Sequence, residues 1–243
     1  MKLINGKLWV DLEKYLDMNS FNAMENQITY NIAKNAKYIE PSYTPQLSLF
    51  NKELPGYLEE RSKYKLEYPE LGPSEINWYT KLNGTAILGS QLVLRSTKGY
   101  PKTYPHKHLN EHSVNLPPCE DFQFLFDWIE KQNCFDEYGR ILFWINEPNQ
   151  LTAIHTDYSN IELDKRDMFI WLTGRYSKSI LLKDNETGET QETNSRAMVF
   201  NTVNWHSTKG HTDYVSWSLR IDGSFNSEWA NKVGIKEYYD YEV

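Results

Sequence analysis

The 243-residue sequence is poor in cysteine, with only Cys119 and Cys134. Two thiols are too few for a disulfide framework or for a zinc site built from cysteines. They read as buried free thiols in a reducing compartment. Long apolar runs are also missing. Nothing approaches the ~18–20 consecutive apolar residues of a membrane span, and the opening MKLINGKLWVDLEKY lacks the apolar core of a secretory signal. A cytoplasmic protein with no membrane partner is expected. Basic residues are outnumbered, 26 Lys and Arg against 33 Asp and Glu, for a formal net charge of −7. That balance disfavours nucleic acid as a partner, because a phosphate backbone is held by a cationic surface. No internal repeat or low-complexity block interrupts the chain.

Aromatic side chains are abundant: 17 Tyr, 10 Phe and 8 Trp within a 40% hydrophobic composition. That is enough for a real core and suits a β-rich fold. The length fits a single domain over 1–243, with an N-terminal extension over 1–135. The first half is irregular, with short helix candidates near 11–18 and 53–65 and a strand pattern over Thr85–Arg95. Ser96–Pro118 reads as loop. Its histidines His106, His108 and His112 suit a solvated or substrate-facing segment better than a second metal site. A helix is expected over Glu120–Gln132: Pro118 precedes it and acidic residues fill its first turn. Its stripe of Phe124, Leu125, Trp128 and Ile129 should pack on a sheet.

From Arg140 the texture changes to eight short strand candidates, at 140–146, 151–157, 167–173, 179–184, 189–193, 197–202, 205–210 and 214–222. Asp184–Gly188 is a hairpin signal between two of them. Eight strands with almost no helix among them predict a mainly β fold with flanking α. The expected architecture is a double-stranded β-helix, a cupin-like jelly roll of two facing sheets over 140–222, followed by a tail over 223–243. The alternative, an immunoglobulin-like sandwich, lacks its cysteine–tryptophan–cysteine spacing. In the last strand Val215, Trp217, Leu219 and Ile221 share one face, and Ser216, Ser218 and Arg220 share the other. The apolar face can bury against helices. The polar face suits a sandwich interior that holds a polar ligand.

In LTAIHTD, His155 and Asp157 stand two apart, so on a strand both point to one face. His206 follows about fifty residues later and opens the seventh strand, which lies beside the second in a double-stranded β-helix. Two imidazoles and one carboxylate on one face of a metal, with the opposite positions open, is the ligand set of non-haem Fe(II) oxygenases. His211, five residues on, is the rival distal ligand, although it falls in the expected turn.

At these residues the sequence resembles the 2-oxoglutarate/Fe(II)-dependent oxygenases, whose motif is HxD, a distal His, then a basic residue on the last strand. Here it reads His155, Asp157, His206 and Arg220, over about 140–222. FNTVNWHSTKG followed by SWSLRIDG looks somewhat like the aspartyl/asparaginyl and prolyl hydroxylase branches. The resemblance implies Fe(II) as cofactor and 2-oxoglutarate as cosubstrate. It implies hydroxylation of a protein side chain, amino acid or other small molecule, with succinate and CO2 released and O2 consumed. Since Asp157 is present, it implies oxidation rather than halogenation. Arg220 stands fourteen after His206, where many members have ten, and Ser216 occupies that nearer position. Arg220 would bind the far carboxylate, with Ser218 and Asn146 as further contacts. Each has a plain alternative: a salt bridge to Asp222 for Arg220, a turn cap near Pro148 for Asn146. Lys183 is the substitute cation. A catalytically silent metal-binding jelly roll and a cupin-type metalloenzyme without an oxoacid are the competing functions.

Overall fold

The strand alternation read from the last segment organises the molecule. The computed structural model describes residues 7–43, 87–97, 107, 109–148, 150, 152, 168–175, 178–184, 187–202 and 204–236. Among them the strands are β1 (Trp9–Asp11), β2 (Glu40–Tyr43), β3 (Ile87–Thr97), β4 (Ser113–Asn115), β5 (Phe135–Asn146), β6 (Phe169–Thr173), β7 (Ser179–Lys183), β8 (Thr190–Thr193), β9 (Ala197–Phe200), β10 (Trp205–Lys209) and β11 (Ser216–Phe225). The helices are α1 (Met18–Lys34), α2 (Gln123–Gln132) and α3 (Ser227–Val233).

The strands form two sheets. The main sheet runs β1-β9-β6-β11-β5-β3-β2, with β4 pairing β3; the minor sheet runs β10-β7-β8. All pairs are antiparallel. The chain crosses between the sheets after β6, after β8, after β9 and after β10, which is the winding of a jelly roll. The backbone at 150 and 152 adds to the minor sheet beyond β10: Thr152 N–H donates to Thr208 O at 2.9 Å and Gly210 N–H to Gln150 O at 2.8 Å.

Seven of the eight expected strands from Arg140 onward are present as β5 to β11. The other, 151–157, lies outside the described residues except for Thr152. The Asp184–Gly188 turn joins β7 to β8, and Gly188 supplies the positive φ of 73°.

The central strands of the main sheet are two-faced. Leu92 and Leu94 of β3, Ile141, Phe143 and Ile145 of β5, Ile170 and Leu172 of β6, and Trp217, Leu219 and Ile221 of β11 form one core with the helices. Phe21 and Ile28 of α1, Leu125, Trp128 and Ile129 of α2, and Trp229 and Val233 of α3 close it from outside. Burying side chains of this size stabilises by roughly 1.5–3 kcal/mol each. A smaller core lies between the sheets, where Phe169, Trp171, Met198 and Phe200 meet Ile180 and Leu182 of β7.

The N-terminal part departs from expectation. Residues 11–18 hold only a 3-10 turn at Glu13–Tyr15, and the helix begins at Met18, capped by Asp17, whose carboxylate accepts Ser20 N–H at 3.0 Å. α1 was not expected. Two of its five buried residues, Glu25 and Asn31, are polar, so its inward stripe does not read as apolar. Glu25 is paired with Arg175 and Arg196, and Asn31 donates to Asp121 O at 2.5 Å. The second helix splits into a 3-10 segment, Pro117–Phe122, and α2, whose buried stripe is Leu125, Phe126, Trp128 and Ile129, with Phe124 half-buried. Within the expected loop, β3 continues to Thr97 and β4 pairs with it. The 53–65 candidate, His106 and His108 lie outside the described residues. No helix among the described residues is long and apolar enough to cross a membrane, and both cysteines are buried free thiols.

Candidate active site

The inner face of the main sheet is set by register. Ser216 of β11 stands opposite Asn146 of β5; Ser218 stands between Trp144 and Thr173; Arg220 stands between Leu142 and Trp171. Directly opposed residues in an antiparallel pair share a face. Asn146, Ser216, Ser218, Thr173, Arg220 and Asp222 are therefore stacked in rows inside the sandwich, and all are buried.

His206 faces the same interior from the minor sheet. It pairs with Leu182, whose side chain lies in the inter-sheet core, and its ring sits 5.4 Å from that of Phe200. The imidazole is 6% exposed, and Nδ1 lies 3.0 Å from the carbonyl oxygen of Asn204. A carbonyl only accepts, so Nδ1 carries the proton and the lone pair of the neutral ring is on Nε2, the form a metal-binding histidine needs.

Lys178 was not singled out from the sequence, yet it is 0% exposed. It immediately precedes β7 and reaches across to the main sheet. Its Nζ donates to Trp144 O at 2.6 Å and to Ser218 Oγ at 3.2 Å. Both acceptors are neutral, and an ammonium has three hydrogens to place. Burial alone drives its pKa well below the ordinary lysine value. Around it other polar groups are unsatisfied. Both side-chain atoms of Asn146 and the hydroxyl of Thr173 are buried with no hydrogen-bond partner. Buried polar atoms nearly always have partners. A lysine, an amide and a hydroxyl left short of acceptors and donors in one place form a cradle for a polar, anionic group. Gly210 lets the strands close there, since a Cβ on it would stand 2.7 Å from Glu147 O and 3.2 Å from Asn146 Cβ.

Arg220 is buried one row further along and points inward, but it is engaged. Its Nε donates to Asp222 Oδ1 at 2.9 Å, and its guanidinium lies 4.1 Å from the Phe169 ring centroid. Arg140 donates to the other oxygen of Asp222 at 2.7 Å. Burial pushes the Asp222 carboxyl up, but Arg140 and Arg220, with Lys107, outweigh it and hold it below the usual carboxylate range. Arg220 is thus the inward cation that strand parity predicted, already tied to a carboxylate.

Among the other candidates, Ser218 accepts from Lys178, and Asn146 is 0% exposed with its amide unpaired. His211 lies in the turn between β10 and β11, where its Nδ1 accepts Asp213 N–H at 3.1 Å and its ring stands 5.2 Å from Tyr214. Lys183 is half-buried at the end of β7. His155 and Asp157 lie outside the described residues. Among the described residues no three His, Cys, Asp or Glu gather as a metal cluster. A groove of about 470 Å3 opens elsewhere, where α1 meets the ends of β6 and β11. Several of its polar groups are matched to one another: Arg175 donates to Glu25 and Asn26, and Trp217 Nε1 to Thr29.

What signalled Lys178 was local and easily missed: a cation in GRYSKSILLKD just ahead of a strand whose next inward positions, Ile180 and Leu182, are apolar. Parity puts 178 on the same face as 180 and 182.

No protein-family model matches the chain, and no curated protein is significantly similar to it. Solved structures similar to it include a Pseudomonas putida prolyl-4-hydroxylase, with 10% identity, TM-score 0.32, and coverage of 82% of this chain and 98% of that one. A 2OG-Fe(II) oxygenase family oxidoreductase from Burkholderia pseudomallei has 11% identity and TM-score 0.37 over 81% of this chain and 88% of that one. A cupin domain from Bordetella pertussis has 15% identity and TM-score 0.25 over 37% and 84%. Likeness at this level carries no chemistry from one chain to another. The jelly roll assigned above rests on the strand order and register themselves.

Proposed function

We propose that this protein is an Fe(II)- and 2-oxoglutarate-dependent oxygenase that seats the far carboxylate of the cosubstrate on Lys178. The observation that carries the reading is the Lys178 cradle: a buried amine with only neutral partners beside an unpaired amide and hydroxyl. A carboxylate fits those groups. It accepts from Lys178 Nζ, from Asn146 Nδ2 and from the hydroxyls of Thr173 and Ser218. A charge-assisted bond of that kind is worth about 1.5–3 kcal/mol. The reading keeps the HxD, distal histidine and inward polar face of the sequence argument and moves the anchoring role from Arg220 to Lys178. Arg220 is already paired with Asp222, a carboxylate it shares with Arg140, and in this reading it holds the inner wall of the sandwich.

His206 fits a metal ligand in burial, orientation and tautomer. In this proposal His155 and Asp157 supply the other two ligands. What supports it is the pairing at 150 and 152: the chain runs antiparallel along β10 towards His206 there, so the motif follows within a few residues. Bound Fe(II) with 2-oxoglutarate and O2 would supply the oxidation of a substrate C–H bond. The chain's own residues do the rest. Asn204 O fixes the His206 ring, and Lys178 with Asn146 orients the acid. Phe169, Trp171 and Phe200 keep water out of the inter-sheet space.

The test is anaerobic titration of the Fe(II)-loaded protein with 2-oxoglutarate, followed by its visible absorption band. A succinate-release assay then runs against peptide and amino-acid substrates. The band should form in the wild-type protein and be lost in His206→Ala. A protein that binds iron and never develops the band is a silent binder or a cupin-type metalloenzyme, and the proposal falls.

A further inference from the structure

We propose that the Lys178 pocket takes up its dicarboxylate together with one proton, Lys178 being a neutral amine without ligand and an ammonium with it. This rests on the carboxylate reading of that pocket and adds a pH response to it. The geometry carries the argument. Nζ meets only the Trp144 carbonyl and the Ser218 hydroxyl, and the side chain is 0% exposed. Either partner can accept from a neutral amine as well as from an ammonium, so neither requires the charge. The main-sheet residues that register places around the Lys178 contact are Asn146 and Trp144 of β5, Ser216 and Ser218 of β11 and Thr173 of β6, none of them ionisable.

Among the described residues, the charged groups around this region are engaged with one another. Arg220 and Asp222 on β11 bind each other, with Arg140 of β5 on the second oxygen of Asp222 and Lys107 beside it. Arg175, three residues before Lys178, bonds Glu25 on α1. His206 of β10 faces the interior from the minor sheet. No carboxylate among the described residues bonds Lys178, and burial acts on its titration, favouring the amine. An ammonium there would be an unpaired buried charge, which proteins avoid by giving up the proton. An arriving carboxylate reverses the balance, since an opposite charge at hydrogen-bond distance restores the ammonium.

The step balances without redox chemistry. Solvent supplies one proton, which binds the Nζ lone pair, and no covalent bond of the ligand changes. Between the low pKa of the ligand-free site and the raised pKa of the liganded one, each bound dicarboxylate takes up one proton. Affinity therefore falls about tenfold per pH unit there. Lys178 is thus a selector for anions, because a neutral ligand gains nothing from the captured proton.

The experiment is calorimetric titration of the full chain loaded with Mn(II), which does not turn over, with 2-oxoglutarate as probe. It runs at about pH 8 in phosphate and in Tris, whose ionisation enthalpies differ. The wild-type protein should take up about one proton per ligand. Lys178→Arg, whose guanidinium stays charged, should bind with no uptake, and Lys178→Met should bind about 100-fold more weakly or not at all. Binding that depends on Lys178 but shows no proton uptake overturns the coupling and leaves the carboxylate reading standing. Unweakened binding in folded Lys178→Met overturns both, as does a wild-type protein that binds no 2-oxoglutarate. If Lys178→Arg does not fold, the wild-type affinity between roughly pH 7 and pH 9 decides: a tenfold fall per unit supports the coupling and a flat profile overturns it.

Discussion

Lys178 and Arg220 are two basic side chains buried in the same inter-sheet space, one ahead of β7 and one on β11, and they are held in opposite ways. Arg220 has a carboxylate at 2.9 Å, a second arginine sharing that carboxylate and an aromatic face beneath it. Lys178 has a carbonyl, a hydroxyl and unpaired neighbours. A buried charge that is paired and hydrogen-bonded belongs to the structure; a buried amine without a counterion regains its charge only when something anionic arrives. In the proposed reading, the difference assigns the ligand to Lys178. Under the same reading the last-strand arginine, the stronger signal in sequence, keeps a structural role beside Asp222.

The comparison can be broken most forcefully at Asp222. Asp222→Ala should destabilise the fold by about 3–5 kcal/mol, because it strands the guanidinium groups of Arg140 and Arg220 in the interior. Chemical denaturation checks it, and a loss below about 1 kcal/mol would mean that the cluster is solvated. The pH dependence has a definite sign. The folded pKa of Asp222 is depressed, so its contribution is complete above the unfolded carboxylate value of about 3.9. It is lost as pH falls through the lower folded value. The acid limb of a stability profile should therefore be shallower in Asp222→Asn.

At Lys178 the expected effect moves from stability to binding. Lys178→Met should weaken 2-oxoglutarate by about 100-fold, equivalent to about 2.7 kcal/mol, while leaving the melting temperature unchanged or raised. Here too the sign is fixed. The folded pKa of Lys178 is depressed, so the unfolded chain binds the extra proton. Wild-type stability should rise with pH from that depressed value up to the ordinary lysine value, and Lys178→Met should remove that part of the slope. A lower melting temperature in Lys178→Met would show that the amine is structural.

Smaller effects sharpen the contrast further. Asn146→Leu removes two unpaired buried atoms at similar volume, so it should stabilise by up to about 1 kcal/mol and weaken the ligand about tenfold. Thr173→Val should be the mildest, changing stability by a few tenths of a kcal/mol and binding two- to threefold. Thermal melts with and without 2-oxoglutarate measure both quantities in one experiment. An Asn146→Leu protein that is destabilised and binds normally would place the amide in the fold and not in the site.

Much of this was legible in the chain because it depends on periodicity. The alternation Ser216–Trp217–Ser218–Leu219–Arg220–Ile221 declares a strand with a wet face and a dry face, and the structure puts the dry face on the helices. The Asp184–Gly188 turn was readable because a positive φ favours glycine there. α1 was not readable, since its buried stripe contains Glu25 and Asn31, whose partners Arg175, Arg196 and Asp121 lie about ninety to a hundred and seventy residues away. Hydropathy cannot register an ion pair whose other half is that distant. The Lys178 site was hidden for the same reason, because a lysine before a strand looks like any surface lysine.

By itself the sequence determined seven strands of the jelly roll, the two-faced character of β11 and the order of the candidate ligands, because alternation and turn chemistry are local properties of the backbone. Only the tertiary structure decided which buried cation has a carboxylate. Charge pairing in a low-dielectric interior depends on distance across the fold, and two arginines and a lysine carry no mark in the chain of which one Asp222 will reach.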